Sequence, residues 1–135
     1  MASNDNQKNF IALDLGTTST RAFVIDKNFR VINGARFESQ LIQNDDGIAE
    51  LDPEPYFENI ERILREALIA SNVEASEIIS LGISCQRSTF ITWDRTTGKA
   101  FHNLITWKDK RAIEEVDKAN NSFLFKVGFR DKMIV

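Results

Sequence analysis

One cysteine, Cys85, stands in 135 residues. That scarcity excludes an intrachain disulfide and any zinc site built from several cysteines. It also points to a reducing compartment, so the chain is expected to be cytoplasmic. No apolar run approaches the ~20 residues that span a bilayer, and the polar N-terminus lacks the apolar core of a signal peptide. No membrane partner is expected. Charge of one sign is missing too: 17 Lys+Arg against 20 Asp+Glu give a net charge of -3. No basic face dominates, which argues against a nucleic-acid partner. The only histidine, His102, has no Ser or Cys at a telling spacing and reads as structural. What is present is 42% hydrophobic and 27% charged residues. These values fit a globular chain rather than wholesale disorder, and the length allows one domain at most.

The apolar pattern gives the elements. Residues 1–8 read as a frayed tail. The run 10–13 reads as a strand buried on both faces. It ends in the polar turn 14–19, and 21–25 resumes as a second strand. Asp26, Lys27 and Asn28 signal a turn before a third strand at 30–37. These three form an antiparallel meander, with Gly34 marking a bulge or a close backbone approach. A loop at 44–47 precedes a helix capped by Asp52 with Pro53 at its first position. Ile60, Ile63, Leu64, Ala67 and Leu68 face inward along it. Glu58 with Arg62, and Glu61 with Arg65, pair on the outer side. A second buried strand follows at 78–84, and Cys85 reads as a small buried residue. Strands at 89–93 and 101–107 flank a hairpin turn at 94–99, with Trp93 and Phe101 packed across it. Asp109 caps a last helix, with Ala112, Ile113, Val116 and Ala119 inward. This order predicts an α/β fold with a mixed sheet and flanking helices.

Two stretches carry chemistry. In the first, Gly16 corners a tight turn between two strands, a geometry that can aim several backbone N–H groups at one anion. Thr17, Thr18 and Ser19 add hydroxyls. Asp14 repels phosphate but suits Mg²⁺, which takes oxygen ligands and keeps several waters. Arg21 can offset charge on a transferring phosphoryl group. The same residues also make an ordinary polar hairpin turn, and the stretch alone leaves both readings open. In the second, Gln86, Arg87 and Ser88 follow the end of an apolar strand, where α/β sheets commonly place ligand groups. Arg87 serves either as a salt-bridge partner or as a fork on substrate hydroxyls. By itself Trp107 reads as core before it reads as a platform for a sugar.

Together the stretches FIALDLGTTSTRAFVID, GIAELDPEPYFENI and SLGISCQRSTFITWDRTTGKAFHNLITWKDKRA resemble the N-terminal part of glycerol kinases and the wider FGGY carbohydrate kinases. The glycerol kinase 5 branch is resembled most, around residues 86–94 and 101–107. The register holds from Phe10 to Arg111. The resemblance implies part of an actin-like (ribonuclease H-like) ATPase domain over residues 10–122, between a disordered tail at 1–9 and a divergent tail at 123–135. It implies ATP and Mg²⁺ as cofactors and a small polyol or sugar as substrate. On it, Asp14 is the Mg²⁺-associated acid. Gly16, Thr17, Thr18, Ser19 and Arg21 face the ATP phosphates, Arg87 and Ser88 face the polyol hydroxyls, and Trp107 packs on the polyol carbons. Ser88 departs from the family, which places Glu there. Losing a charged hydrogen-bond acceptor costs on the order of 1.5–3 kcal/mol, so the resemblance does not fix glycerol as substrate. The catalytic base and the adenine-binding domain lie downstream in the family. The chain is therefore expected to be a fragment or truncated form, inactive alone, with an exposed sheet edge open to self-association. The alternative is a non-catalytic interaction module that pairs with a full-length kinase.

Overall fold

A computed structural model describes residues 8–122. The tail readings for 1–7 and 123–135 lie outside the described residues. Strand β1 (Asn9–Leu15) turns at Gly16 into β2 (Ser19–Ile25), which turns into β3 (Val31–Glu38). All three pair antiparallel, as the turn chemistry requires. At the β2–β3 turn, Asp26 Oδ1 accepts from the backbone N–H of Asn28 at 2.8 Å and of Arg30 at 2.9 Å. These bonds hold the Asp26 carboxyl below its ordinary range. Gly34 is a close approach: a Cβ there would lie 2.7 Å from the ring of Phe23.

Two short strands come next, β4 (Ile42–Gln43) and β5 (Ala49–Leu51). The loop expected at 44–47 is the turn joining them. Helix α1 (Pro53–Ser71) starts on Asp52, whose carboxylate accepts from the Glu54 N–H at 3.1 Å. It ends on Asn72, whose left-handed conformation (φ 52°) suits a C-cap. Tyr56, Ile60, Ile63 and Ala67 are buried along its inner stripe. They pack on Ile11, Leu13, Ala22, Val24 and Phe37 of the meander to form the core, with Leu64 and Leu68 at its margin. On the outer side Glu61 pairs with Arg65 as expected, but Arg62 reaches forward to Glu66 rather than back to Glu58.

After a 3-10 turn at Ala75–Glu77, β6 (Ile78–Cys85) joins β1 in parallel, giving the mixed sheet order β3-β2-β1-β6. A second sheet, β4-β5-β7, is completed by β7 (Leu104–Ile105). Helix α2 (Ile113–Asn121) ends the described chain. Among the described residues, no helix is long and apolar enough to cross a membrane.

Several expectations are corrected. Strand β1 is fully buried on one face only, at Ile11 and Leu13, with Phe10 and Ala12 half-buried on the other. Strand β6 is exposed rather than buried: Leu81 and Ile83 lie beside Ile11 and Leu13 in register, yet α1 sits over β2 and β3 and leaves them open. Cys85 is exposed at its end. Residues 89–93 and 101–107 are not full strands: apart from β7 they are loop, pinned at the isolated bridges Phe90–Ile105 and Trp93–Ala100. Trp93 and Phe101 are exposed. Asp109 does not cap α2, whose N-cap position is Ala112 with no side-chain cap bond, and Ala112 and Ile113 are exposed rather than inward.

Candidate functional site

The parallel pairing of β1 with β6 makes Leu15 and Cys85 register partners. The chain therefore leaves both strands at the same end of the sheet, and residues 14–21 and 86–89, distant in sequence, emerge side by side. Gly16 is forced by space: a Cβ on it would sit 2.4 Å from the backbone oxygen of Ser19. Beyond this corner Thr18 is exposed, while its carbonyl accepts from the Ser39 N–H at 2.9 Å. Thr20 points the other way, into the core, where it meets the Tyr56 hydroxyl at 3.2 Å. Asp14 and Arg21 are cross-strand partners, 3.5 Å apart with side chains 46% and 45% exposed. A contact this long and wet contributes ~0–1 kcal/mol, so either group is easily drawn to a ligand. No cluster of three or more metal-ligating side chains exists among the described residues. A lone half-exposed carboxylate fits Mg²⁺, which binds through one or two carboxylates and otherwise keeps waters and substrate phosphates.

The second wall begins at Gln86. Its Oε1 accepts from Thr17 Oγ1 at 2.9 Å and from Thr89 Oγ1 at 2.8 Å. Arg87 is exposed, and no salt bridge engages it among the described residues. Ser88 holds a left-handed backbone (φ 60°), which bends the chain away from β6. Trp107 is not core: it is 52% exposed. Its indole Nε1–H donates to Thr17 Oγ1 at 2.8 Å, its backbone N–H donates to Thr89 Oγ1 at 3.2 Å, and Lys108 Nζ lies 5.8 Å from the ring centroid.

The segment bearing Trp107 is anchored on both sides. Thr106 is buried, and both its N–H and its hydroxyl donate to the Ala49 carbonyl, at 3.0 and 2.8 Å. Asp109 accepts from the Ala49 N–H at 3.0 Å and from Arg111 Nε at 3.0 Å. Arg111 also reaches Glu50 at 2.5 Å. The Arg111 guanidinium, followed by the Ala49 N–H, holds the Asp109 carboxyl below its ordinary range. Beside Trp107 an open groove of about 410 Å³ runs to Ile113 and Val116 of α2. His102 has a structural setting, between Thr92 Oγ1 at 2.8 Å and the Asn103 carbonyl at 2.6 Å. Sequence reading places Gln86 in the second stretch without a role and takes Thr89 for a strand residue, because the bonds that join them to Thr17 and Trp107 cross 69 and 18 residues.

The family described as the FGGY family of carbohydrate kinases, N-terminal domain, matches residues 9–128. Glycerol kinase 5 of Bos taurus is 36% identical over 127 residues, covering 93% of this chain and 24% of that protein. Among solved structures, gluconate kinase from Lactobacillus acidophilus superposes with a TM-score of 0.79 at 27% identity, over 92% of this chain and 24% of that one. Plasmodium falciparum glycerol kinase with ADP gives a TM-score of 0.75 at 26% identity, over 87% and 24%. The chain thus spans about a quarter of the length of the relatives it matches. The mixed sheet with flanking helices is that of the sugar kinases, the actin-like ATPase fold. With the family match running over nearly all of its length, the chain belongs to the FGGY family of carbohydrate kinases, in the family's N-terminal domain.

Proposed function

We propose that the chain is the phosphate-facing and polyol-facing part of an ATP-dependent cytoplasmic kinase that phosphorylates a hydroxyl of a small polyol or sugar. The observation that carries the reading is the common exit of β1 and β6, which puts the 14–21 turn against the Gln86–Trp107 wall through the Thr17 hydroxyl. In this reading the amides beyond Gly16, with Thr18 and Ser19, receive the phosphates. Arg21 leaves its weak contact with Asp14 to meet the charge that grows on the transferred group. Mg²⁺, held near Asp14, neutralises charge between the phosphates when bound. Arg87 hydrogen-bonds substrate hydroxyls, Ser88 lies beside it, and the Trp107 ring lies along the carbons. Glycerol, the substrate named in several relatives, is the first candidate, and gluconate is a second.

The polypeptide alone is expected to bind without turning over. Asp109 is committed to Ala49 and Arg111, and Asp14 faces the Mg²⁺ in this reading, so neither is assigned as general base. Calorimetric titration with MgATP tests the reading. Saturable binding, competed by magnesium tripolyphosphate and weakened by Arg21→Ala, supports it; no binding overturns it. Robust ATP-dependent phosphorylation of glycerol by the purified chain would overturn the inactivity.

A second reading, an interaction module that associates through β6, is favoured by the exposed Leu81 and Ile83 on an edge strand.

A further inference from the structure

We propose that Gln86 and Thr89 are positioning residues that close a hydrogen-bonded ring between the phosphate turn and the tryptophan wall, so that a phosphate group on the turn is felt at Trp107. This rests on the reading of residues 14–21 as a phosphate turn.

The ring has four members from three separate segments. A threonine hydroxyl carries one proton. Thr17 and Thr89 both give theirs to Gln86 Oε1, at 2.9 and 2.8 Å. Trp107 then fills a lone pair on each, with the indole N–H on Thr17 at 2.8 Å and the backbone N–H on Thr89 at 3.2 Å. Gln86 accepts twice, Trp107 donates twice, and each threonine does both. The proton count fixes the direction of every bond.

Two consequences follow. First, the Thr17 hydroxyl has no proton left for a phosphate. An anion that takes a hydrogen bond from Thr17 Oγ1 must draw it away from Gln86, which rotates the lone pair that the indole uses. Second, Trp107 is 52% exposed, so packing alone does not fix its ring. Thr17 holds the ring and Thr89 holds the backbone that carries it, and both hydroxyls depend on one amide oxygen. Gln86 touches no atom of Trp107 in this ring, yet it sets the acceptor that orients the indole. Coupling of this kind is reciprocal in free energy: whatever a phosphate does to the wall, a ligand on the wall does to phosphate affinity by the same factor.

The experiment uses the whole chain with its tryptophans ¹⁵N-labelled. There are two, Trp93 and Trp107, so Trp93 serves as an internal reference. Magnesium tripolyphosphate is titrated in. Phosphorus line broadening reports binding, and the indole N–H signals report the wall. The expected result is a saturable shift of the Trp107 signal over the range in which phosphorus broadens, with Trp93 unmoved. In Gln86→Leu and in Thr89→Val the Trp107 indole proton exchanges faster with water and its response shrinks, while phosphorus still broadens. Thr89→Ser, which keeps the hydroxyl, behaves as the unmodified chain. The ring is overturned if phosphorus broadens while Trp107 stays still, or if both disrupting variants exchange and respond as the unmodified chain does. No broadening at all overturns the phosphate-turn reading beneath it, and the coupling falls with that reading.

Discussion

At Gly16 the limit is space rather than backbone conformation. A methyl group there would meet the Ser19 carbonyl at 2.4 Å, and backbone cannot yield as a flexible side chain does. Gly16→Ala must therefore open the turn, at a cost of about 1–3 kcal/mol. Urea unfolding checks the stability, and a parallel tripolyphosphate titration is expected to show weakened binding. A second single-residue prediction concerns Ser88, adjacent to the exposed Arg87. Ser88→Glu restores a charged acceptor worth about 1.5–3 kcal/mol to a bound hydroxyl, so glycerol should bind at least ~10-fold more tightly in calorimetry. Unchanged affinity would remove Ser88 from the polyol wall. At this scale the residues of the candidate site are nominated by their types and spacing. Gly16 and Thr17 sit in a short stretch whose residue types advertise their chemistry. Gln86 is placed in the second stretch but given no role, because that role is a bond to Thr17 across 69 residues, which no local pattern encodes.

Among the elements, the segment from β7 to α2 depends most on charge. Asp109 bridges the Ala49 N–H and Arg111, and Arg111 reaches Glu50. Together these anchor the piece of chain that carries Trp107. The Asp109 carboxyl is held below its ordinary value by the Arg111 guanidinium and the Ala49 amide. The sign follows: a depressed folded value means that this stabilisation is full above ~4, the ordinary carboxylate pKa, and is lost as pH falls through the folded value. Asp26 and Asp94 are depressed as well, by backbone N–H groups of their own turns, and add to the same acid loss. Asp109→Asn should lower the urea midpoint at pH 7 and show a smaller further drop between pH 5 and pH 3 than the unmodified chain. Equal drops would mean that the anchor does not titrate there. The long elements were readable in advance because β1, β2 and β3 are apolar runs bounded by turn signals and α1 repeats its apolar period several times. Strands β4, β5 and β7 span two or three residues, too short for any period to register. They exist because Ala49 and Thr106 find each other across 57 residues, as do Leu51 and Leu104 beside them. Asp109 looked like a helix cap for the same reason: an acid before an apolar run is a local signal, and its bond to Ala49 is not.

The whole molecule is lopsided. One helix covers β2 and β3, and the core ends where that cover ends. Beyond it β6 forms the edge of the sheet, with Leu81 44% and Ile83 59% exposed on the core face. Hydrophobic run length alone had suggested a strand buried on both faces. Such a run records what a strand would gain from being covered, and the covering element is a separate matter of topology. A bare edge with apolar side chains next to it is a template for pairing with another chain. At raised concentration the 135-residue chain should therefore self-associate through β6. Full burial of a Leu or Ile side chain is worth about 1.5–3 kcal/mol. Replacing Leu81 and Ile83 together with Lys should weaken association by roughly a hundredfold or more. Neither side chain belongs to the α1 core, so the fold is expected to survive, with a circular dichroism spectrum like that of the unmodified chain. Sedimentation velocity across a concentration series checks the claim. A mass that rises with concentration in the unmodified chain, and stays monomeric in the double variant, assigns the contact to β6. A monomer at every concentration would show that the exposed edge does not bind its own kind.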